Sequence, residues 1–517
     1  MSVPAARPAL AVLARGLLLP LAAGACAVLA FAPFGYWPVA IASLAVLFHV
    51  WTGSGSALQA ALSGIAFGLG LNLAGVSWVF VSLHEYGHMP AALAAVATFA
   101  FCAFIALFPG FAGWAAHRFS GPGRWRTLAA FPAWFALFEW VRGWIFTGFP
   151  WLVLGYSQVP ASPLAGFAPV LGAYGVSLAA ALAAALVSAL VTSVAWSRER
   201  GVLLAALAAL FAAGALGRLV EWTVPSGEPV SVTLLQGNVS QHLKFRPEIR
   251  AATLEGYRAM AIASPARVVI LPETALPAFL DQLPDGYVES LRDHGRARGK
   301  DILIGTAERR QAGGADEYFN SVVNLGASPD QVYRKRHLVP FGEFIPPGFG
   351  WVLSVLRIPL QDMSRGEARQ APLQAGGVAW AVAICYEDVF GEELIASLPQ
   401  AALLANVSND AWYGRSLAAD QHLQFSQMRS LETGRWMLRS TNTGVTAAID
   451  ERGRVVAQLP QFTRGELVAK PVPRSGATPY VRWGNLAALA LVAALAAAAL
   501  SRRRGRSRPA ASGARGR

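Results

Sequence analysis

Lysine is almost missing from this chain: Lys244, Lys300, Lys335 and Lys470 are its four lysines in 517 residues, against 39 Arg. Charge of either sign is scarce as well. Asp, Glu, Lys and Arg make up 14% of the residues, where soluble globular proteins carry about 25%, while 54% of the residues are hydrophobic. That combination excludes an array of soluble domains and excludes intrinsic disorder. With only three cysteines, Cys26, Cys102 and Cys385, a disulfide scaffold is excluded too. The net charge of +13 would suit a nucleic-acid partner if it were spread over one surface, but it is not. Residues 1–220 hold nine Arg, no Lys and three acids (Glu85, Glu139, Glu199); residues 221–500 hold 27 basic and 27 acidic groups; residues 501–517 hold seven Arg and no acid. A neutral middle between apolar and Arg-only ends reads as a membrane protein with one folded domain and no nucleic-acid surface.

Long apolar runs are what the sequence does have. A stretch of about 20 apolar residues crosses the hydrocarbon layer as a helix that satisfies its own backbone. Seven such stretches precede residue 222, at 16–33, 36–52, 57–81, 91–116, 127–147, 163–194 and 202–220, and an eighth lies at 483–500. The expected organisation is a seven-span membrane domain over 1–221, an extracytoplasmic domain over 222–482, an eighth span at 483–500 and a basic cytoplasmic tail at 501–517. Arg7 and Arg15, the 118–126 loop, Arg198 and Arg200, and the Arg tail all fall on one side of eight spans, whereas loops 82–90 and 148–162 carry no Lys or Arg. Because basic short loops stay cytoplasmic, both termini are expected there and the 222–482 block on the opposite, periplasmic face.

Three features of the apolar part carry possible chemistry. Ala23-Gly-Ala-Cys26 is a poor lipoprotein processing box, and Cys26 and Cys102 are expected as small buried apolar residues. His84-Glu85-Tyr86-Gly87-His88 matches H-E-x-x-H, but Gly87 and Pro90 break the helix that zinc ligation would require, so a polar loop and no metal are expected. Glu139 and Arg142, at i and i+3 inside a span, are expected to pair and lower each other's burial cost.

The 222–482 block alternates short β-rich runs (230–236, 268–271, 301–305, 321–325, 378–386, 403–407, 444–449, 467–472) with helical segments, which indicates an α/β domain. Three of its runs stop at a reactive side chain. An apolar run ends in Leu271-Pro-Glu273. Val332-Tyr-Arg-Lys335-Arg-His leads into Leu338-Val-Pro-Phe-Gly-Glu343, and here a lysine is used between two arginines in a chain that otherwise avoids lysine, as a site wanting a compact ammonium would require. Val378-Ala-Trp-Ala-Val-Ala-Ile-Cys385-Tyr386-Glu387 ends at the only cysteine of the block, which is either an inert core residue or a nucleophile. Strand ends are where α/β sheets put their sites. A carboxylate base, an ammonium and a thiol together suit acyl transfer through a thioester: Cys385 attacks a carbonyl, Glu273 takes and returns the proton, and Lys335 with backbone N–H groups stabilises the oxyanion.

Glu273, Lys335 and Cys385, in the contexts L-P-E-T, Y-R-K-R-H-L-V-P-F-G-E and I-C-Y-E, resemble the carbon-nitrogen hydrolase (nitrilase) superfamily, whose fold is an αββα sandwich. With its apolar spans, and with the stretches Leu235-Gln-Gly-Asn238, Thr147-Gly-Phe-Pro-Trp151, Asn406-Val-Ser-Asn409-Asp-Ala-Trp412-Tyr413 and Arg439-Ser-Thr-Asn442-Thr-Gly, the chain resembles the bacterial apolipoprotein N-acyltransferase family over nearly its whole length. The resemblance implies a multi-pass inner-membrane enzyme with no cofactor. It would take the sn-1 acyl chain of a phospholipid, typically phosphatidylethanolamine, onto Cys385 and pass it to the α-amino group of the S-diacylglyceryl cysteine of an apolipoprotein. It also implies supporting roles for Glu343, beside Lys335, and for Tyr386 and Glu387, beside the nucleophile. Phe245 stands where Trp is expected in many relatives, which puts a lid-like contact there in doubt.

The residues alone leave two rivals: a membrane-tethered amidase or nitrilase using the same triad with water as acceptor, and a transporter with a structural extracytoplasmic domain. Aromatic segments at 341–351 and at Trp412-Tyr413 suit either an acyl-chain cover or ordinary core.

Overall fold

The structure, a computed structural model, describes residues 14–506 except 245, 313, 349 and 351–361. Arg7, Phe245, Trp351 and the tail from 507 on therefore lie outside the described residues.

Each of the eight apolar stretches contains helix. Among the described residues, four helices are long and apolar enough to cross a membrane: Ala57–Gly75, Ala91–Phe119, Pro163–Thr192 and Arg198–Gly217. Gly16–Ala30, Trp37–Gly53 and Leu486–Ser501 are shorter apolar helices, and the stretch at 127–147 forms helix up to Arg142 before breaking into a short 3-10 turn, Ile145–Thr147. Cys102 is buried as expected, but Cys26 lies on an exposed helix face, because its neighbours Ala23, Gly24 and Ala27 make the packed one. The helices approach through small residues, as helices in lipid do when van der Waals contact must hold them together. At Gly70 a Cβ would sit 2.0 Å from the Leu21 carbonyl oxygen, so only glycine lets the backbones meet there.

Among the described residues, 223–476 carry two large sheets and a separate two-stranded pairing of Thr223–Pro225 with Arg474–Gly476. One runs Gly465–Ala469, Val232–Gln236, Val268–Ile270, Asp301–Ala312, Ala315–Gly326, Gln331–Arg334, with Leu276–Phe279 pairing beside Asp301–Ala312. The other runs Val455–Gln458, Ala447–Ile449, Met437–Thr441, Leu403–Ser408, Val378–Ile384, Leu373–Ala375. The central strands of both are parallel. Strand side chains alternate between faces, and the core divides accordingly. Val232, Leu234, Val268 and Ile270 pack with Trp380, Val382, Ile384 and Leu438 between the sheets. Their neighbours Leu235, Val269 and Leu271 turn outward onto helices Pro247–Ala263 and Tyr287–Arg298, while Ala381, Ala383 and Leu404 turn outward toward Leu394 and Leu423. The result is the expected αββα sandwich. The Ser440 hydroxyl crosses it, donating to the carbonyls of Leu235 and Ile270 at 2.9 and 3.1 Å.

The sandwich is fastened to the apolar helices at a break in one of them. Gly172 adopts φ +68 inside Pro163–Thr192, against the Tyr480 ring, and the backbone N–H of Ala173 donates to the Glu432 carboxylate at 2.6 Å. Glu432 is itself paired with Arg429 at 3.0 Å.

Because overpacking a close contact costs about 1–3 kcal/mol, Gly70→Leu is expected to lower the thermal melting temperature of the purified protein clearly. Gly201→Ala, whose Cβ meets nothing within 4 Å, is expected to leave it unchanged or raise it slightly.

Candidate active site

Glu273, Lys335 and Cys385 come together at the ends of strands from both sheets. Val268–Ile270 is parallel and short, and Leu271-Pro272 carries the chain on to Glu273, which is buried. One carboxylate oxygen accepts the Asn320 side-chain amide at 2.7 Å and the other the Asn409 backbone N–H at 2.8 Å. Lys335 follows Gln331–Arg334 and is 1% exposed; its ammonium lies 2.9 Å from Glu343 and 3.6 Å from Glu273. Burial pulls the Lys335 pKa down, but the Glu343 and Glu273 carboxylates outweigh it and hold the amine well above its ordinary range. Glu343 also accepts the backbone N–H of Val339 at 2.9 Å, which closes the turn carrying it. The Asn320 amide bonds both carboxylates, at 2.7 and 2.9 Å, through the same Oε1 atoms that Lys335 faces, and so bridges them.

Cys385 ends Val378–Ile384 and opens a 3-10 turn, Cys385–Val389, with φ +54. A non-glycine residue in this region is strained and persists only where its surroundings hold it. Burial pushes the thiol pKa up, the Glu273 charge pushes it further, and Lys335 pulls the other way. Burial and Glu273 thus favour the thiol over the thiolate. Asn238, Thr274 and Phe341, also around the site, have positive φ as well.

Glu387 is buried, and holds the loops of Cys385 and Lys335 together. Its carboxylate accepts the backbone N–H groups of Ile384, Arg336 and His337 at 2.8, 2.8 and 3.1 Å, and the Tyr333 hydroxyl at 3.0 Å. Burial raises its pKa, opposed by Lys335 and by these N–H groups. Tyr386 points toward the loop that follows the apolar stretch ending at Thr147: its hydroxyl donates to the Gly148 carbonyl at 3.3 Å and its ring stacks on Phe149 and Trp151.

Several groups at the site were not singled out by sequence. Asn320 sits in a strand-like run and gave no sign of facing two carboxylates. Lys244 is a second buried lysine, donating to the Thr274 hydroxyl at 2.6 Å; burial lowers its pKa to about 8 against the pull of Glu273. Beneath Cys385, Asp388, Asp410, His422 and Arg439 form a fully buried charged cluster, of which Asp410 and Arg439 lay in quoted motifs. Tyr413 packs between Trp78 and Trp151, and Trp412 meets Tyr86 while its carbonyl accepts the Ser82 hydroxyl, so both belong to the packed junction with the apolar part. His84 lies in the helical turn Ser82–Tyr86, ending at Gly87, and its Nδ1 bonds the Met89 carbonyl at 2.8 Å. Glu139 and Arg142 pair at 4.0 Å, and Glu139 accepts the Leu154 N–H at 2.9 Å.

Two family models match the chain: apolipoprotein N-acyltransferase N-terminal domain over residues 23–186 and carbon-nitrogen hydrolase over residues 219–480. An apolipoprotein N-acyltransferase of Nitrosomonas europaea is 50% identical over 489 residues, covering 93% of this chain and 96% of that protein. One of Methylococcus capsulatus is 46% identical over 498 residues, 95% of this chain and 97% of that one. Among solved structures, a carbon-nitrogen hydrolase from Helicobacter pylori G27 matches with a TM-score of 0.35 and 15% identity, covering 50% of this chain and 94% of that one.

The opposed charges around the thiol set an expectation for its titration. Glu273→Gln removes a negative charge and is expected to shift the pH profile of Cys385 alkylation by iodoacetamide to lower pH, whereas Lys335→Met is expected to shift it higher.

Proposed function

The chain belongs to the apolipoprotein N-acyltransferase family, and from that membership we propose that it transfers a fatty acyl chain from a phospholipid to the α-amino group of a lipoprotein precursor at the membrane surface. The donor is the sn-1 chain of phosphatidylethanolamine, and the acceptor is the S-diacylglyceryl cysteine at the precursor's N-terminus. Eight spans hold the enzyme in the bacterial inner membrane, with both termini cytoplasmic and residues 222–482 periplasmic. The distribution of Arg supports that orientation, since basic loops remain cytoplasmic.

The reaction is ping-pong. Glu273 accepts the thiol proton of Cys385 as sulfur attacks the ester carbonyl, so negative charge moves from the carboxylate to sulfur and then to the tetrahedral oxyanion. Lys335 stands beside all three positions and stabilises the last most, as a preorganised charge in a dry site should. The C–O bond breaks, Glu273 returns the proton to the departing lysophospholipid, and a thioester remains. The neutral amine then attacks the thioester, Glu273 takes its proton, and the sulfur leaves and is reprotonated as the amide forms. Glu343 holds Lys335 in place, and Glu387 and Tyr386 position the nucleophile's turn.

One observation carries the reading toward lipid. The residue next to Cys385 reaches the loop that leaves the fifth apolar stretch, with Tyr386 bonded to Gly148 and stacked on Phe149 and Trp151, so a thioester at Cys385 would stand against the edge of the apolar part of the chain. A soluble amide hydrolysed by water would need no such placement, and the named relatives are acyltransferases. In reconstituted bilayers containing acyl-labelled phosphatidylethanolamine and a diacylated lipopeptide, Cys385→Ala is expected to abolish label transfer, and Cys385→Ser to reduce it by roughly 100-fold or more. Near-normal transfer by either variant would contradict the proposal.

A further inference from the structure

We propose that His422 is a positioning residue for the nucleophile: an imidazolium, donating from both ring nitrogens, that ties the backbone carbonyl of Cys385 to the carboxylates of Asp388 and Asp410. The inference rests on Cys385 being the acylated residue.

Geometry dictates the protonation. Nδ1 lies 2.9 Å from Asp410 Oδ1, and Nε2 lies 3.0 Å from Asp388 Oδ1 and 3.1 Å from the Cys385 carbonyl oxygen. Every one of these partners is an acceptor. A neutral imidazole carries a hydrogen on one nitrogen only, which would leave a lone pair facing an oxygen in a cluster with no exposure to water. The charged and titratable groups facing the ring come from three elements. Asp388 belongs to the turn that begins at Cys385, Asp410 to the turn Asp410–Tyr413, and Arg439 to the strand Met437–Thr441. Arg439 bonds Asp410 at 2.8 Å and Asp388 at 3.3 Å. Two carboxylates thus face one guanidinium and one imidazolium, and the buried cluster is neutral overall, as burial demands. The remaining neighbours, Trp151, Tyr413 and Phe425, present rings. Burial and Arg439 pull the His422 pKa down, but Asp388 and Asp410 outweigh them and raise it to about 9.

The role follows from what the ring holds. Cys385 has φ +54, and its carbonyl is fixed by two donors, His422 and the Asn406 amide at 3.0 Å. Those bonds oppose relaxation of the turn to ordinary backbone, which would swing the sulfur away from Glu273 and Lys335. His422 acts through this backbone and not on the substrate. Since the folded pKa lies above the unfolded value, the stability and alignment that His422 supplies are complete below about pH 6.5 and are lost as pH rises through about 9.

The test uses the full-length protein in phospholipid nanodiscs, with single-turnover acyl-enzyme formation followed between about pH 6 and pH 10. His422→Gln is expected to acylate roughly 100-fold more slowly, the penalty typical of a misaligned reacting group. The donor concentration giving half-maximal rate should be unchanged, and the alkaline fall seen in the unmodified protein should vanish. Asp410→Asn is expected to move that fall to lower pH. In parallel, 15N NMR of the histidine-labelled unmodified protein at about pH 8, where ordinary imidazoles are neutral, should show at least one imidazole protonated on both nitrogens. An unchanged rate and profile in His422→Gln, or no doubly protonated imidazole in the unmodified protein, would overturn the proposal. If the unmodified protein formed no acyl-enzyme, the acyl-transfer reading would fail, and the state of His422 would then be decided by whether a doubly protonated imidazole signal of the unmodified protein is missing from His422→Gln.

Discussion

The arrangement depends on keeping three charged groups largely out of water beside a thiol. Lys335, at 1% exposure, faces Glu343 at 2.9 Å and Glu273 at 3.6 Å, and none of these charges would be tolerated in an apolar interior without the others. With both glutamates ionised the set carries one net negative charge, and in the proposed reaction a proton moving from sulfur to Glu273 would shift that charge without changing its sum. No new charge needs solvating during the step, so the water-poor site that makes the thiol hard to ionise does not prevent its ionisation in place. Asn320 completes the arrangement, because its amide satisfies both carboxylates that would otherwise repel each other.

Electrostatics of this kind work only if the backbone is stiff, and two buried polar systems stiffen it from opposite sides. Glu387 gathers three backbone N–H groups and a tyrosine hydroxyl, joining the loop of Lys335 to the turn of Cys385. The cluster of Asp388, Asp410, His422 and Arg439 underlies the same turn and holds its carbonyl. The strained backbone of Cys385 is thus fixed by the Glu387 carboxylate on the N–H of Ile384 before it and by the His422 ring and the Asn406 amide on its own carbonyl, as is common where strain is kept for a purpose.

Much of this was legible in the sequence, and the reasons differ by residue. Cys385 and Glu273 could be read because each interrupts a continuous apolar strand, and Lys335 because the chain otherwise uses arginine. Scarcity alone did not separate it from Lys244 and Lys300, which are also buried; the neighbouring strand context did. The sandwich followed from short β-rich runs, although Asp301–Ala312 and Ala315–Gly326 extend well past the apolar cores that announced them, since their outer ends form a polar hairpin. Asn320 and His422 were not legible. Asn320 reaches its carboxylates across 47 and 23 residues of sequence, and His422 reaches Asp410, Asp388 and Cys385 across 12, 34 and 37, and a lone polar residue in a strand or helix gives no local sign of such a partner. The outward face of Cys26 was missed for a similar reason: an all-apolar helix in lipid has no polar side to betray which face is packed.

The membrane-like half and the sandwich meet beside Cys385, through Tyr386 on Gly148, and again through Glu432 on the broken helix at Ala173. A thioester formed there would stand where lipid and protein meet, and its formation is the central claim. Intact-protein mass spectrometry after incubation with phosphatidylethanolamine vesicles tests it most directly. The account predicts a single fatty-acyl adduct that maps to Cys385 and is discharged by a diacylated lipopeptide; a protein that stays unmodified, or an adduct mapped elsewhere, would contradict it.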